Sequence, residues 1–310
     1  MSKKRKLKIV LLSIAVGLVS YLLWYFFIKS YDYAVNFYVK SAPGTVYEQV
    51  ADWKKWDHFA AEESTVVTSK KPYSEINQFV PLNNTKLDLH WTFKGVNDST
   101  TRVRVEIKDK RNSLKNRLFI PFSKTEFEDV MRFKIVNFKK NADAFAHREF
   151  RVKIEGEAES PERFVVYVPL KSSMKQKAFN MMSNDGFLLR YIDSMKLGKN
   201  GNPIIEVTNW DVENDSIEYI YAFPISKTDS LPQSKLFKFK KIPARKSIKA
   251  TFNGNYRISD KAWYAIYDYA LRNNIKIDHK VFETFLNNPH NGGDNLNWEA
   301  EIYIPVKQQE

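Results

Sequence analysis

KATFNGNYRISDKAWYAIYDYALRNNIKIDHKVFETFLNNPHNGGDNLNWEAEIYIPV, residues 249–306, is the stretch on which the reading of this chain turns. It is entered through an apolar run, Ile248 to Phe252, that breaks at Asn253-Gly254, a pair suited to a turn. Ser259 or Asp260 then caps a predicted helix. Ala262, Trp263, Ile266, Tyr267, Ala270 and Leu271 recur at spacings of three and four, which lays one broad apolar stripe along it. Asn273-Asn274 ends the helix. Two strand-like runs follow, Lys280 to Leu286 and Trp298 to Val306, around a turn cluster at Asn287-Asn288-Pro289 and Gly292-Gly293-Asp294. The order is strand, helix, strand, strand.

Within this order stand Gly254-Asn255-Tyr256, Ala262-Trp263, Glu283-Thr284-Phe285, Asn288-Pro289 and Glu301-Ile302-Tyr303-Ile304-Pro305. The set resembles the second half of a GyrI-like domain, the effector-binding module attached to many AraC-type and multidrug-sensing transcription regulators. Phe285 departs from the pattern, which has tyrosine there, so one hydroxyl is missing. Upstream, Arg148 to Glu159 and Arg163 to Leu170 read as strands. A helical stripe follows with Ala178, Met181, Met182, Leu188, Leu189, Ile192 and Met195, ended by Gly198 and Gly201. Strands Ile204 to Trp210 and Ile217 to Ile225 come next, the latter closing before a proline as Glu301 to Pro305 does. Residues 148–226 and 236–306 therefore read as two copies of one unit, joined by the polar linker Lys227 to Lys235. Duplication is what the resemblance implies, and it extends to a GyrI-like domain at 148–306.

Further upstream the chain reads as a strand to Val39, then Ala42-Pro43, then a helix with Val46, Tyr47, Val50 and Ala51 on one face, closed by Trp53 and Trp56. Strands are predicted at Ser64 to Ser69, Lys86 to Lys94, Thr101 to Lys108 and Leu114 to Phe122. A long helix from Thr125 to Asn141 follows, with Phe127, Val130, Met131, Ile135 and Phe138 on one side. This order resembles START-like (SRPBCC, polyketide-cyclase-like) domains and implies, over 31–144, a curved antiparallel sheet wrapped on a long helix. The fold class expected for the whole chain is α+β.

Residues 9–28 carry no charge and, as a helix, are long enough to span the roughly 30 Å of bilayer hydrocarbon. Tyr21, Trp24 and Tyr25 gather at the end of this run, where amphipathic rings favour the interface. A cleaved signal peptide is the alternative, although FIKSYDYA lacks a small-x-small cleavage site. Lys3, Lys4, Arg5, Lys6 and Lys8 form a basic tail at 1–8, against only Lys29 and Lys40 shortly after the span. The positive-inside rule then expects a cytoplasmic N-terminus and folded domains outside a bacterial inner membrane. The GyrI-like resemblance points the other way, since its best-known members are cytoplasmic.

The chain holds 310 residues, room for about two domains. It has no cysteine, which excludes disulfides, thiolate metal sites and cysteine nucleophiles. The formal charge is +13; the basic tail supplies five of those charges, so +8 belongs to the rest. Nucleic acid is one reading of such an excess, but no binding signature accompanies it, and the plainer reading is exposed lysines that keep the protein soluble and close to anionic lipid headgroups. His58, His90, His147, His279 and His290 stand apart without metal-ligand spacing, and neither a phosphate loop nor a Gly-x-Ser-x-Gly elbow is present. No cofactor is implied.

Glu283 is the candidate centre. Strand alternation puts Val281, Glu283 and Phe285 on one face and Phe282 and Thr284 on the other. If Phe282 packs on the helix stripe, Glu283 lies among apolar residues on the opposite face, where a carboxylate must be paired, hydrogen-bonded or protonated. In GyrI-like proteins the equivalent glutamate lies in an aromatic cleft between the two halves and meets bound ligands. A glutamate on a half-wet face, paired with a lysine, is the plainer alternative. Glu283, Phe285, Tyr256, Trp263, Tyr303, Trp210 and Tyr221 are the ligand-binding candidates, with Tyr219 and Trp298 as further wall residues. Ordinary core packing is the other fate open to these aromatics. Glu206 falls near the matching place in the first copy.

The function expected is that of a membrane-anchored protein holding a small apolar or cationic molecule in the aromatic cleft. A hydrolase of small electrophiles, with Glu283 handling protons, is the first alternative. A non-catalytic envelope scaffold is the second.

Overall fold

The computed structural model describes residues 3–52, 65–82, 85–226 and 231–307; Trp53, Trp56, His58 and the first half of the Lys227–Lys235 linker lie outside them. The architecture is α+β: two antiparallel sheets behind one N-terminal apolar helix. That helix, α1 (Lys3–Leu23), runs on through a π-helical segment, Trp24–Ile28. It is long and apolar enough to cross a membrane.

The first sheet comprises β1 (Tyr33–Val39), β2 (Val66–Lys71), β3 (Glu75–Leu82), β4 (Thr85–Asn97) and β5 (Thr100–Asp109), ordered β1-β5-β4-β3-β2. Period-two alternation sets its faces. In β5, Val103, Val105 and Ile107 are buried while Arg102 is exposed. Helix α2 (Pro43–Ala51) and helix α4 (Glu126–Arg148) cover the apolar face. Thr125 caps α4 by accepting a bond from the Glu128 N–H at 3.2 Å, and three acidic residues in the first turn suit the helix dipole. Met131, Ile135, Phe138 and Ala142 form its buried stripe.

Two expectations change here. Residues 114–122 are not a strand: α3 (Ser113–Phe119) is a helix. Asp109 turns the chain by accepting from the N–H groups of Arg111 and Asn112. Ser113 and Arg117 then both reach Asp32, a convergence of positions four apart that a helix allows. Strand β3 was not expected, because buried Gln78 interrupts its apolar alternation; Gln78 Nε2 donates to the carbonyl of Val50. Helix α4 also runs to Arg148, past Asn141.

The second sheet contains β6 (Phe150–Glu159), β7 (Arg163–Ser172), β8 (Ile204–Asp211), β9 (Ser216–Pro224), β10 (Lys238–Ile242), β11 (Lys246–Gly254), β12 (Phe282–Phe285) and β13 (Glu299–Pro305). Helix α5 (Lys177–Ser194) follows β7 and helix α6 (Asp260–Arg272) follows β11. The order β10-β7-β9-β8-β12-β13-β11-β6 is that of a duplicated unit, with β8 and β12 meeting at its middle. Each copy lends its first strand to the other: β6 pairs with β11, and β10 with β7. Both helices lie on one face, over the larger core.

Helix α6 joins the two sheets. Its Trp263 packs on the second sheet, while Tyr264 faces α2 and donates to Glu48 at 2.5 Å. Gly44 in α2 lies so close to the Tyr264 ring that a Cβ there would stand 2.6 Å from it. Lys261 pairs with Glu48 and with Asp260.

Candidate functional site

Registers place Glu283 opposite Ile205 on β8 and Ile302 on β13, with Tyr221 beyond Ile205 on β9. Directly paired residues share a face, so the carboxylate stands in a cross-sheet row that is otherwise apolar. The row lies under the helices: Val281 and Phe285 belong to the helix-covered core, whereas Phe282 packs with Tyr303 on the far face. The strand is therefore turned the other way from the arrangement with Phe282 against the helix stripe.

Helix α5 supplies the partner. Lys177 and Glu283 are both 0 % exposed, with Nζ 3.4 Å from Glu283 Oε2. Lys177 also donates to Ser259 Oγ at 2.6 Å and stands 4.5 Å from the Trp263 ring centroid, within cation–π range. Trp263 Nε1 donates to the same Glu283 oxygen at 3.3 Å. Glu283 Oε1 has no hydrogen-bond partner among the described residues. Burial pushes the Glu283 carboxyl above its usual range, against the opposing pull of Lys177. Ser259 does not cap α6 with its side chain, because its hydroxyl serves Lys177 and the carbonyl of Tyr256. The two residues that close the pair are 106 positions apart, and nothing in the linear pattern links them.

Beside this buried cluster opens a pocket of about 420 Å³, between α5 and the β12–β13 connection. Tyr221, Tyr256, Phe285 and Trp298 line it, with Met181 and Asp185 from α5. The Tyr256 ring lies tilted 4.8 Å from that of Phe285 and 5.9 Å from that of Trp298, and its hydroxyl donates to the carbonyl of Glu299 at 2.7 Å. Burial pushes the Tyr256 phenol up to about 12. Tyr221 donates to Asp185 at 2.5 Å; burial and that carboxylate raise its pKa.

Of the residues singled out from sequence, Tyr221, Tyr256 and Phe285 come together here, and Trp298 with them. Glu283 and Trp263 lie beneath, out of contact with solvent. Tyr303 faces away, across the sheet, against Phe282. Trp210 is a junction residue, packed 5.5 Å from Trp263 and 6.4 Å from Tyr73 of the first sheet's β2–β3 turn. Tyr219 is buried and donates to the carbonyl of Lys177. Glu206 pairs with Phe282, not with Glu283, so it too faces the far side, where it meets Lys240 and Arg245. Sequence reasoning missed Lys177 and Asp185. Its α5 stripe did include Ala178, Met181, Met182 and Leu189, which line the pocket as well.

No curated protein matches the chain. Among solved structures it is similar to the EcmrR C-terminal domain, at 15% identity and TM-score 0.40, covering 52% of this chain and 99% of that one. It is similar to SAV2435 bound to tetraphenylphosphonium at 13% identity and TM-score 0.34, over 51% and 94%. Over 89% of this chain and 85% of the other it is similar to the di-domain ARO/CYC StfQ from the steffimycin biosynthetic pathway, at 11% identity and TM-score 0.25. Residues 158–307 match the model of the GyrI-like small molecule binding domain, a span that includes α5, α6 and the pocket.

Proposed function

We propose that this protein holds a small apolar molecule in the pocket between α5 and the β12–β13 connection, and that α1 anchors it in a bacterial inner membrane with the folded part outside. The observation that carries the reading is an open pocket of about 420 Å³, walled by Tyr221, Phe223, Tyr256, Phe285 and Trp298, inside a small-molecule-binding domain. That volume suits a compact organic ligand. The ligand needs no positive charge. The buried carboxylate that would attract a cation already has one, the chain's own Lys177. Binding is preferred to hydrolysis on the same ground: a general acid–base must reach the substrate, and Glu283 is sealed from the pocket.

The test fills the pocket. Met182 lines it and is half exposed, so Met182→Trp narrows the space without rebuilding the core. Wild-type and variant chains are purified in parallel, and their organic extracts compared by mass spectrometry. A small molecule carried by the wild type and lost from the variant is expected. Identical extracts from two folded proteins would sink the reading.

A further inference from the structure

Between residues 114 and 122 four large apolar side chains stand in the open: Leu114 (62 % exposed), Leu118 (50 %), Phe119 (47 %) and Phe122 (85 %). An apolar patch of this kind marks a contact surface. The opposite side of α3 is not free. Asn116 and Arg117 are buried, and Arg117 donates to Asp32 at 2.8 Å and to the backbone carbonyls of Tyr25 and Phe26 at 3.2 and 2.9 Å. Tyr25 returns a bond from its hydroxyl to the carbonyl of Arg117 at 3.0 Å. Helix α3 is thus bolted to the last turn of the apolar helix.

This bolt fixes depth. If α1 and its π-helical extension cross the bilayer, residues 24–28 end at its outer boundary, where Tyr and Trp rings prefer to sit. A helix hydrogen-bonded to the carbonyls of residues 25 and 26 lies at that same level. Phe27 and Ile28 are exposed on that segment as well. Exposed Arg111, Lys115 and Lys124 flank the patch, placed for anionic headgroups.

We propose that residues 114–122 rest in the interfacial layer of the bilayer that α1 crosses, a second, non-spanning contact that holds the first sheet against the membrane. The inference rests on the membrane reading of α1, and the experiment separates the two.

Because the chain has no cysteine, single-cysteine variants carry one nitroxide label each. Ile14→Cys reports on α1, Leu118→Cys and Phe122→Cys on the patch, and Glu213→Cys on the exposed β8–β9 turn as an aqueous control. The full chain is reconstituted in phosphatidylcholine–phosphatidylglycerol vesicles, and relaxation by oxygen is compared with relaxation by a water-soluble nickel complex. The labels at 14, 118 and 122 are expected to favour oxygen, and that at 213 nickel. If 118 and 122 behave like 213 while 14 favours oxygen, the patch faces water and the proposal fails with the anchor intact. If 118 and 122 are shielded from both reagents, protein covers them and the proposal also fails. A nickel-accessible label at 14 would overturn the membrane reading and this inference together.

Discussion

Replacing Lys177 by methionine is the sharpest perturbation of the buried cluster. The length is roughly kept, but Glu283 is left as a sealed carboxylate without a counter-charge. Lys177 and Glu283 are both wholly buried, and removing one partner of such a pair costs about 3–5 kcal/mol. Most of that cost comes from the stranded charge rather than from the lost contact. Lys177→Met combined with Glu283→Gln should therefore recover most of the loss, to within about 1–2 kcal/mol of the wild type, since neutral replacement of a buried pair is often nearly neutral. The pH dependence carries a definite sign. Burial already raises the Glu283 carboxyl, and Lys177 opposes it. Without Lys177 the folded-state pKa rises further above its unfolded value, so the folded chain binds the proton more tightly. Stability of Lys177→Met is then greatest in acid and falls as pH rises through that raised pKa. Urea unfolding of the detergent-solubilised full chain, followed by tryptophan fluorescence at pH 5 and pH 8, measures all three proteins. The deficit at pH 8 should exceed that at pH 5. A loss under about 1 kcal/mol at pH 8, set against the expected range, refutes the reasoning, as does a double variant no better than the single.

Other outcomes follow from the same geometry. Glu283→Gln alone should leave the extracted ligand unchanged, because the carboxylate does not face the pocket; mass spectrometry of the extracts checks this. Gly44→Ala puts a Cβ 2.6–3.0 Å from the Tyr264 ring, so α2 and α6 must part at a cost of about 1–3 kcal/mol, read as a shift in the urea midpoint. Asp32→Asn leaves buried Arg117 without its counter-charge and should cost about 3 kcal/mol, with faster amide exchange in residues 24–32 by mass spectrometry. Alkaline phosphatase fused after Glu310 should be active in intact cells; an inactive, well-expressed fusion would place the folded part in the cytoplasm.

Periodicity carried much of the second half of the chain. The α6 stripe, the Asn273-Asn274 stop and the paired pre-proline strands are local signals, and the elements formed close to where those signals stand. What failed was non-local. Residues 114–122 alternate well enough to pass for a strand, yet Ser113 and Arg117 both reach the distant Asp32, a partner that no local pattern announces. The face of β12 was ambiguous for the same reason. A run in which Phe282, Glu283, Thr284 and Phe285 are all buried shows no wet side to orient it. Lys177 was invisible as a site residue, since one lysine at the head of a helix carries no mark of the carboxylate it meets. The exchange of first strands between the copies was equally hidden, as each copy taken singly is a complete pattern.

Helix α6 was read from sequence as a one-sided amphipathic helix, and its real environment explains more than that reading could. Trp263 presses on Glu283 and Lys177 beneath the pocket. On the opposite side Lys261 and Tyr264 engage Glu48 of α2, and Asp268 abuts Gly95 of β4. Burial opposes the charge on Lys261, but Asp260 and Glu48 outweigh it and hold the lysine protonated, with its pKa raised. A helix packed this closely on both sides cannot shift toward one neighbour without disturbing the other. The turn that enters it contains Tyr256, a wall of the pocket. A ligand that displaces Tyr256 would therefore press through Ser259 and α6 onto the first sheet, the part of the molecule bolted by Arg117 to the apolar helix. Helix α6 thus touches both the buried cluster beneath the pocket and the first sheet, contacts that ordinary one-sided amphipathicity would not have supplied.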